Sequence, residues 1–140
     1  MAPEILVIDD DPAIRDALTV ALAEEGYSVS TAANGREAMR RLADATSTPP
    51  ALILLDLMMP VMDGVTFLDR YADDPTLPEV PVIVMSANLA SIGVYRKDVL
   101  LYMNKPIALE RLLETVGLWA PLAAERGDAR RPPPPPRSFP

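Results

Sequence analysis

Five side chains of this sequence have the chemistry of metal and phosphate work: the carboxylates of Asp9, Asp10 and Asp56, the hydroxyl of Ser86 and the ammonium of Lys105. All lie at the ends of short apolar runs. Ile5-Leu6-Val7-Ile8 leads into Asp9-Asp10-Asp11, and Ala51-Leu52-Ile53-Leu54-Leu55 into Asp56. Val82-Ile83-Val84-Met85 leads into Ser86-Ala87, and Val99-Leu100-Leu101-Tyr102-Met103 into Asn104-Lys105-Pro106. Adjacent carboxylates in a crowded crevice repel each other. A carboxylate that follows five apolar residues is buried and needs a partner. Three of them together therefore require a cation. Oxygen ligands of this kind select a hard divalent ion, Mg²⁺ foremost, with Mn²⁺ able to take its place. Lysine and hydroxyl donors facing such a cluster suit phosphoryl oxygens. One carboxylate left free to attack phosphorus makes an aspartyl phosphate. An ionised carboxylate needs no general base, which fits a chain without histidine.

Taken singly, most of these residues have plainer readings. Asp11 is a helix cap. Ser86 alone reads as a cap at the turn into a helix, and Lys105 alone as a solvated strand-end lysine. It is the convergence of strand ends that favours chemistry.

The elements that must position these groups are legible in the hydrophobic pattern. The four apolar runs do not alternate, which suits strands buried on both faces of a parallel sheet. Tyr27-Ser28-Val29-Ser30-Thr31 alternates and reads as a strand nearer the edge. Between the strands lie helical patterns. Ile14, Leu18 and Leu22 follow the cap Asp11 and Pro12, and Gly26 stops that helix. Ala38, Met39 and Leu42 follow Asn34-Gly35. Val65, Leu68 and Tyr71 follow Gly64. Leu109, Leu112, Leu113 and Val116 mark the last helix. The stretch Asn88 to Asp98 sits where a fourth helix belongs, but its periodicity is poor. The alternation predicts an α/β fold with a doubly wound five-stranded parallel sheet and right-handed crossovers. Function in such sheets gathers at the carboxyl ends of the strands.

Length and composition narrow the classes. The chain has 140 residues, no cysteine, 16 prolines and a net charge of −7. That length is one domain's worth. Zinc fingers, thiol chemistry and serine–histidine triads are excluded. The acidic balance argues against nonspecific nucleic-acid binding. No basic leader precedes the first apolar run, and no run reaches a membrane span of ~20 apolar residues. A soluble, cytoplasmic protein is the expectation, with no nucleic acid or membrane partner. The composition changes after Leu122. The segment 123–140 holds Pro132 to Pro136, and four arginines against Glu125 and Asp128 give it +2, so that the body carries −9. Residues 1–122 are expected to form the domain. Residues 123–140 are expected to be a flexible tail in extended polyproline II, either a spacer or a peptide for a proline-binding groove.

Residues 4–119 resemble the receiver domain of two-component response regulators, in particular the stand-alone, chemotaxis-regulator-like kind. The resemblance rests on Val7-Ile8-Asp9-Asp10-Asp11-Pro12, on Leu54-Leu55-Asp56-Leu57-Met58-Met59-Pro60 with Met62-Asp63-Gly64, on Ser86-Ala87 and on Lys105-Pro106. It implies a flavodoxin-like strand order 2-1-3-4-5 and Asp56 as phosphoacceptor. Mg²⁺ would be bound by the side chains of Asp10 and Asp56, the backbone carbonyl of Met58 and, through water, Asp9. Lys105 would contact a phosphoryl oxygen and pair with the acceptor. Ser86 would donate its hydroxyl to the phosphoryl group and move toward it. Tyr102, three positions before the lysine, would be the aromatic switch, although its sequence context alone reads as a buried-strand aromatic. The Lys105–Pro106 peptide would be cis. The implied partners are a sensor histidine kinase or phosphotransfer protein, and an output protein docking near the fourth helix, fifth strand and fifth helix.

Two departures qualify this picture. Ser86 and Lys105 are nineteen positions apart, shorter than usual for the family by about one helical turn of ~3.6 residues, and the deficit falls in the weak fourth helix. The sequence also shows no output domain after the last helix, so docking or onward phosphoryl transfer would carry the signal. The expected role is thus a phosphoacceptor signalling domain that catalyses only its own phosphoryl transfer and loss. Phosphohydrolases with an aspartyl nucleophile carry a second Asp two residues later, where this chain has Met58. A phosphorylation-independent interaction module is the other alternative. The thioether of Met58 is expected to orient attacking water poorly and so to slow hydrolysis of an acyl phosphate.

Overall fold

The computed structural model describes residues 3–87, Leu89, Arg96 and 98–125. Five strands, β1 (Glu4–Ile8), β2 (Ser28–Ala32), β3 (Leu52–Asp56), β4 (Val82–Ser86) and β5 (Leu101–Asn104), alternate with helices. The described helices are α1 (Pro12–Glu24), α2 (Gly35–Ala43), α3 (Gly64–Asp73) and α4 (Leu109–Glu125). All strand pairs are parallel, in the order β2-β1-β3-β4-β5. This is the doubly wound sheet that the continuous apolar runs predict.

The central strands supply both halves of the core. Leu6, Ile8, Ile53, Leu55, Val82 and Val84 face α2 and α3 with Ala38, Leu42, Phe67 and Leu68. Ile5, Val7, Leu52, Leu54, Ile83 and Met85 face α1 and α4 with Leu18, Leu22, Leu112 and Val116. Two-sided burial explains why these strands do not alternate. Edge strand β2 is only partly buried, as its polar residues require.

Side-chain caps fix the helix starts. Asp11, Asn34 and Asp63 accept N–H bonds from Ala13, Glu37 and Thr66, satisfying amides that have no partner inside the helix. Gly26, at φ 95°, ends the turn after α1.

Three details differ from the sequence pattern. In α3 the buried residues are Phe67 and Leu68, whereas Val65 is exposed. In α4 the buried seam is Leu112, Val116 and Ala120, while Leu109 faces solvent. In both helices one apolar residue in the first turn lies off the core-facing stripe. α4 also continues through Pro121 to Glu125, past the change in composition at Leu122. The weak helix expected between β4 and β5 lies outside the described residues except for Leu89, Arg96 and Asp98, as do residues 126–140 of the proline-rich segment. The helix after β5 is therefore α4 here. No helix among the described residues is long and apolar enough to cross a membrane.

Candidate functional site

The parallel sheet sends the carboxyl ends of β1, β3, β4 and β5 to one edge. The buried polar residues Asp9, Asp56 and Ser86 lie there. Carboxylate oxygens of Asp9, Asp10 and Asp56 come within 4.8 Å of one another, with Asp9 and Asp56 buried and Asp10 exposed. The donor set consists of hard oxygen ligands with one side open to solvent. It fits a divalent cation that retains water ligands.

Asp9 is held on every side. Its N–H donates to Ala32 O at 3.1 Å, extending the β1–β2 ladder. Its carbonyl accepts from Arg15 Nη1 at 2.7 Å. Its Oδ1 accepts from Asp11 N–H at 2.9 Å, and its Oδ2 accepts from Lys105 Nζ at 2.8 Å. Asp56 is held more loosely. Its Oδ1 accepts from Met58 N–H at 3.2 Å and lies 3.4 Å from Lys105 Nζ. The ammonium thus bridges the two buried carboxylates and sits nearer Asp9. Asp11 acts as the helix cap that its position predicts.

The electrostatics follow from this crowding. Burial pushes the Asp56 carboxyl above its ordinary value and the Asp9 charge pushes it the same way, with Lys105 and the Met58 N–H pulling back. Burial alone would lower the Lys105 ammonium. Its hydrogen bond to Asp9 and the Asp56 and Asp9 charges outweigh that and raise it. Lys105 therefore stays charged, with Asp9 and Asp56 sharing its ammonium and Asp10 alongside.

The remaining predicted residues surround this cluster. Ser86 ends β4 as a buried residue, and its carbonyl accepts from Lys105 N–H at 2.9 Å. The Lys105–Pro106 peptide is cis. Met58 follows β3 and is 73% exposed. Tyr102 lies in β5, partly buried against the core, and its hydroxyl accepts from Arg96 N–H at 2.8 Å.

Two participants are not apparent in the sequence pattern. Arg15, one turn into α1, reaches back to fix the Asp9 carbonyl. Arg96 holds the Asp98 carboxylate through Nε and Nη2 at 2.9 Å each and Asp69 of α3 through Nη1 at 2.6 Å. Both act through long side chains whose targets are far apart in sequence or on the backbone, so no spacing rule exposes them.

The loop after Asp56 is closed tightly. Gly64 N–H donates to Leu57 O at 2.9 Å, and a Cβ at Gly64 would stand 2.6 Å from Leu57 Cα and 2.8 Å from Asp56 O. Only glycine fits there. Within the loop, Met62 N–H donates to Pro60 O at 2.7 Å around Val61, which has φ 69°. A β-branched residue in that region is strained.

The fold and the site now stand beside known proteins. Residues 5–117 match the response regulator receiver domain. The chain is 36% identical over 120 residues to the DNA-binding dual master transcriptional regulator RpaA of Synechocystis, covering 81% of this chain and 47% of that protein. It thus spans about half the length of that relative. Among solved structures it is similar to the response regulator TrrA of Thermotoga maritima in complex with Mg(2+)-BeF, with a TM-score of 0.70 and 29% identity over 84% of this chain and 98% of that one. It is also similar to the phosphorylated cyanobacterial phytochrome response regulator RcpA, with a TM-score of 0.68 and 28% identity over 85% and 94% of the two chains. Family match, sheet order and acidic cluster agree, and the chain belongs to the response regulator receiver domains of two-component systems.

Proposed function

We propose that this receiver domain accepts a phosphoryl group on Asp56 and thereby changes its affinity for a protein partner. The carrying observation is the trio Asp9, Asp10 and Asp56 within 4.8 Å, with Lys105 bridging two of them. The donor is the phosphohistidine of a sensor kinase or phosphotransfer protein. An Asp56 carboxylate oxygen attacks phosphorus, the phosphorus–nitrogen bond breaks and the imidazole leaves. Mg²⁺, held by Asp10, Asp56 and the Met58 carbonyl and through water by Asp9, would neutralise charge on the transferring group; Mn²⁺ has the same ligand preference. Lys105 donates to a phosphoryl oxygen, and the Ser86 hydroxyl moves in to donate to another. Tyr102 responds to the space that Ser86 vacates, weighting a conformation already present. An output protein docks near β5, α4 and the segment between β4 and β5. We assign the receiver unit to residues 1–122, with α4 running on to Glu125, and a linker or docking role to the rest of 123–140, in a cytoplasmic setting.

The support is chemical. An ionised Asp56 needs no histidine base to attack phosphorus, and Met58 occupies the position where a phosphohydrolase would need its second acid. The assembled acidic and lysine set disfavours a module that has lost phosphorylation. Intact-mass measurement with a small phosphodonor and Mg²⁺ tests the proposal. One phosphoryl group should add to the parent protein and none to Asp56→Ala. Equal labelling of both proteins, or none of the parent, would overturn it.

A further inference from the structure

We propose that Met58 is a site of reversible oxidation that sets how long the phosphoryl group persists on Asp56. Its lifetime half rests on the phosphoacceptor reading above. Met58 is tied to the acceptor by its backbone, whose N–H donates to Asp56 Oδ1 at 3.2 Å. Its side chain points away from the core and is 73% exposed. The other methionines among the described residues are not so presented. Met59, Met85 and Met103 are buried, and Met39 and Met62 pack against the core. Met62 is further held against Gly35, where an added Cβ would lie 2.9 Å from its Cγ. A dissolved peroxide thus reaches one thioether beside the site far more readily than those of the core.

The chemistry balances simply. The sulfur lone pair attacks one oxygen of hydrogen peroxide, the oxygen–oxygen bond breaks, and the thioether becomes a sulfoxide while water leaves. Sulfur loses two electrons and the peroxide gains them. Sulfoxide is reducible by the methionine sulfoxide reductases, so the change is reversible. It also inverts the local hydrogen bonding. A thioether is a weak acceptor, whereas the sulfoxide oxygen is a strong one on a side chain with three rotatable bonds. Beside a phosphorylated Asp56 it can accept a hydrogen bond from water and leave that water's lone pair free for phosphorus. Water then adds, the bond from phosphorus to the Asp56 oxygen breaks, and the carboxylate and inorganic phosphate separate. Oxidation at Met58 therefore shortens the signal without touching a ligand side chain.

Brief treatment with dilute hydrogen peroxide, followed by peptide mapping and by decay of the acyl phosphate, tests both halves. Met58 should oxidise before any methionine of the core. Its sulfoxide should shorten the acyl-phosphate half-life by about two- to tenfold, the rate equivalent of one net hydrogen bond. Methionine sulfoxide reductase should restore the original half-life. Met58→Gln should decay fast without peroxide, and the half-life of Met58→Leu should ignore peroxide. Prior oxidation of a core methionine, or an unchanged half-life with Met58 fully oxidised, would overturn the inference. Failure of untreated protein to take up phosphate would instead overturn the phosphoacceptor reading, and with it the lifetime half. The peptide map would still decide the modification half.

Discussion

Strand β1 carries two charged clusters, one at each end, and they are built on opposite terms. At its start, Glu4 accepts from Ser30 Oγ at 2.8 Å and pairs with Arg41, both side chains partly buried at 23% exposure. One carboxylate meets one guanidinium, and solvent screens what remains. Just past its end, buried Asp9 and Asp56 share the ammonium of Lys105, with exposed Asp10 beside them. The first cluster is neutral by itself. The second sets three carboxylates against one ammonium among the described residues, and that surplus of negative charge makes it a candidate cation site rather than a clasp. The same sheet supplies both, so the difference lies in side-chain balance and not in backbone geometry.

The largest effect should come from removing the shared cation. Lys105→Met leaves buried carboxylates without their ammonium and should cost about 3 kcal/mol in urea unfolding without divalent ions. It should also tighten Mg²⁺ binding, because ammonium and metal compete for the same oxygens. A loss below that of a surface ion pair would erase the contrast between the clusters. Next in size, Mg²⁺ should raise the parent's unfolding free energy by about 2.7 kcal/mol at roughly a hundredfold excess over its dissociation constant. Asp10→Asn should blunt this response, as thermal melts would show.

A smaller gain should follow Asp56→Asn in metal-free buffer, on the order of 1 kcal/mol. Its pH dependence has a definite sign. The folded-state Asp56 binds its proton more tightly than the unfolded chain, whose ordinary value is 3.8. The parent should therefore lose stability as pH rises from 3.8 through the raised folded value, and the advantage of Asp56→Asn should grow over that window. An advantage independent of pH would contradict the crowding. The raised Lys105 ammonium works at the other end. Its contribution is complete below 10.5 and is lost as pH climbs past that through the folded value. Smallest of all, Arg41→Met at the balanced cluster should cost no more than about 1 kcal/mol and leave the Mg²⁺ response unchanged.

Much of this was legible in the residues. Asp9, Asp10, Asp56, Ser86 and Lys105 stand where apolar runs stop, and parallel strands carry every such stop to one edge. Asp11-Pro12 and Asn34-Gly35 announce helix starts through local hydrogen bonds, which depend on neighbours alone. The faces of α3 and α4 were less legible. Val65 and Leu109 fit the helical period, yet burial depends on which stripe meets the sheet, and that is a tertiary choice. Tyr71 illustrates the same limit, because its hydroxyl donates to Pro78 O and accepts from Val80 N–H at 2.7 Å, a clamp invisible as spacing. Arg15 and Arg96 were unreadable for a related reason: a guanidinium reaching a carbonyl or two separate carboxylates leaves no periodic trace.

The Gly64–Leu57 bond makes residues 57–64 a small ring whose two ends meet beside Asp56. Residues at its rim, Met58, Pro60 and Val61, are exposed, while the sealed neck keeps Asp56 and the first turn of α3 in register. Solvent-facing side chains thus border a backbone that admits no added atom at its neck.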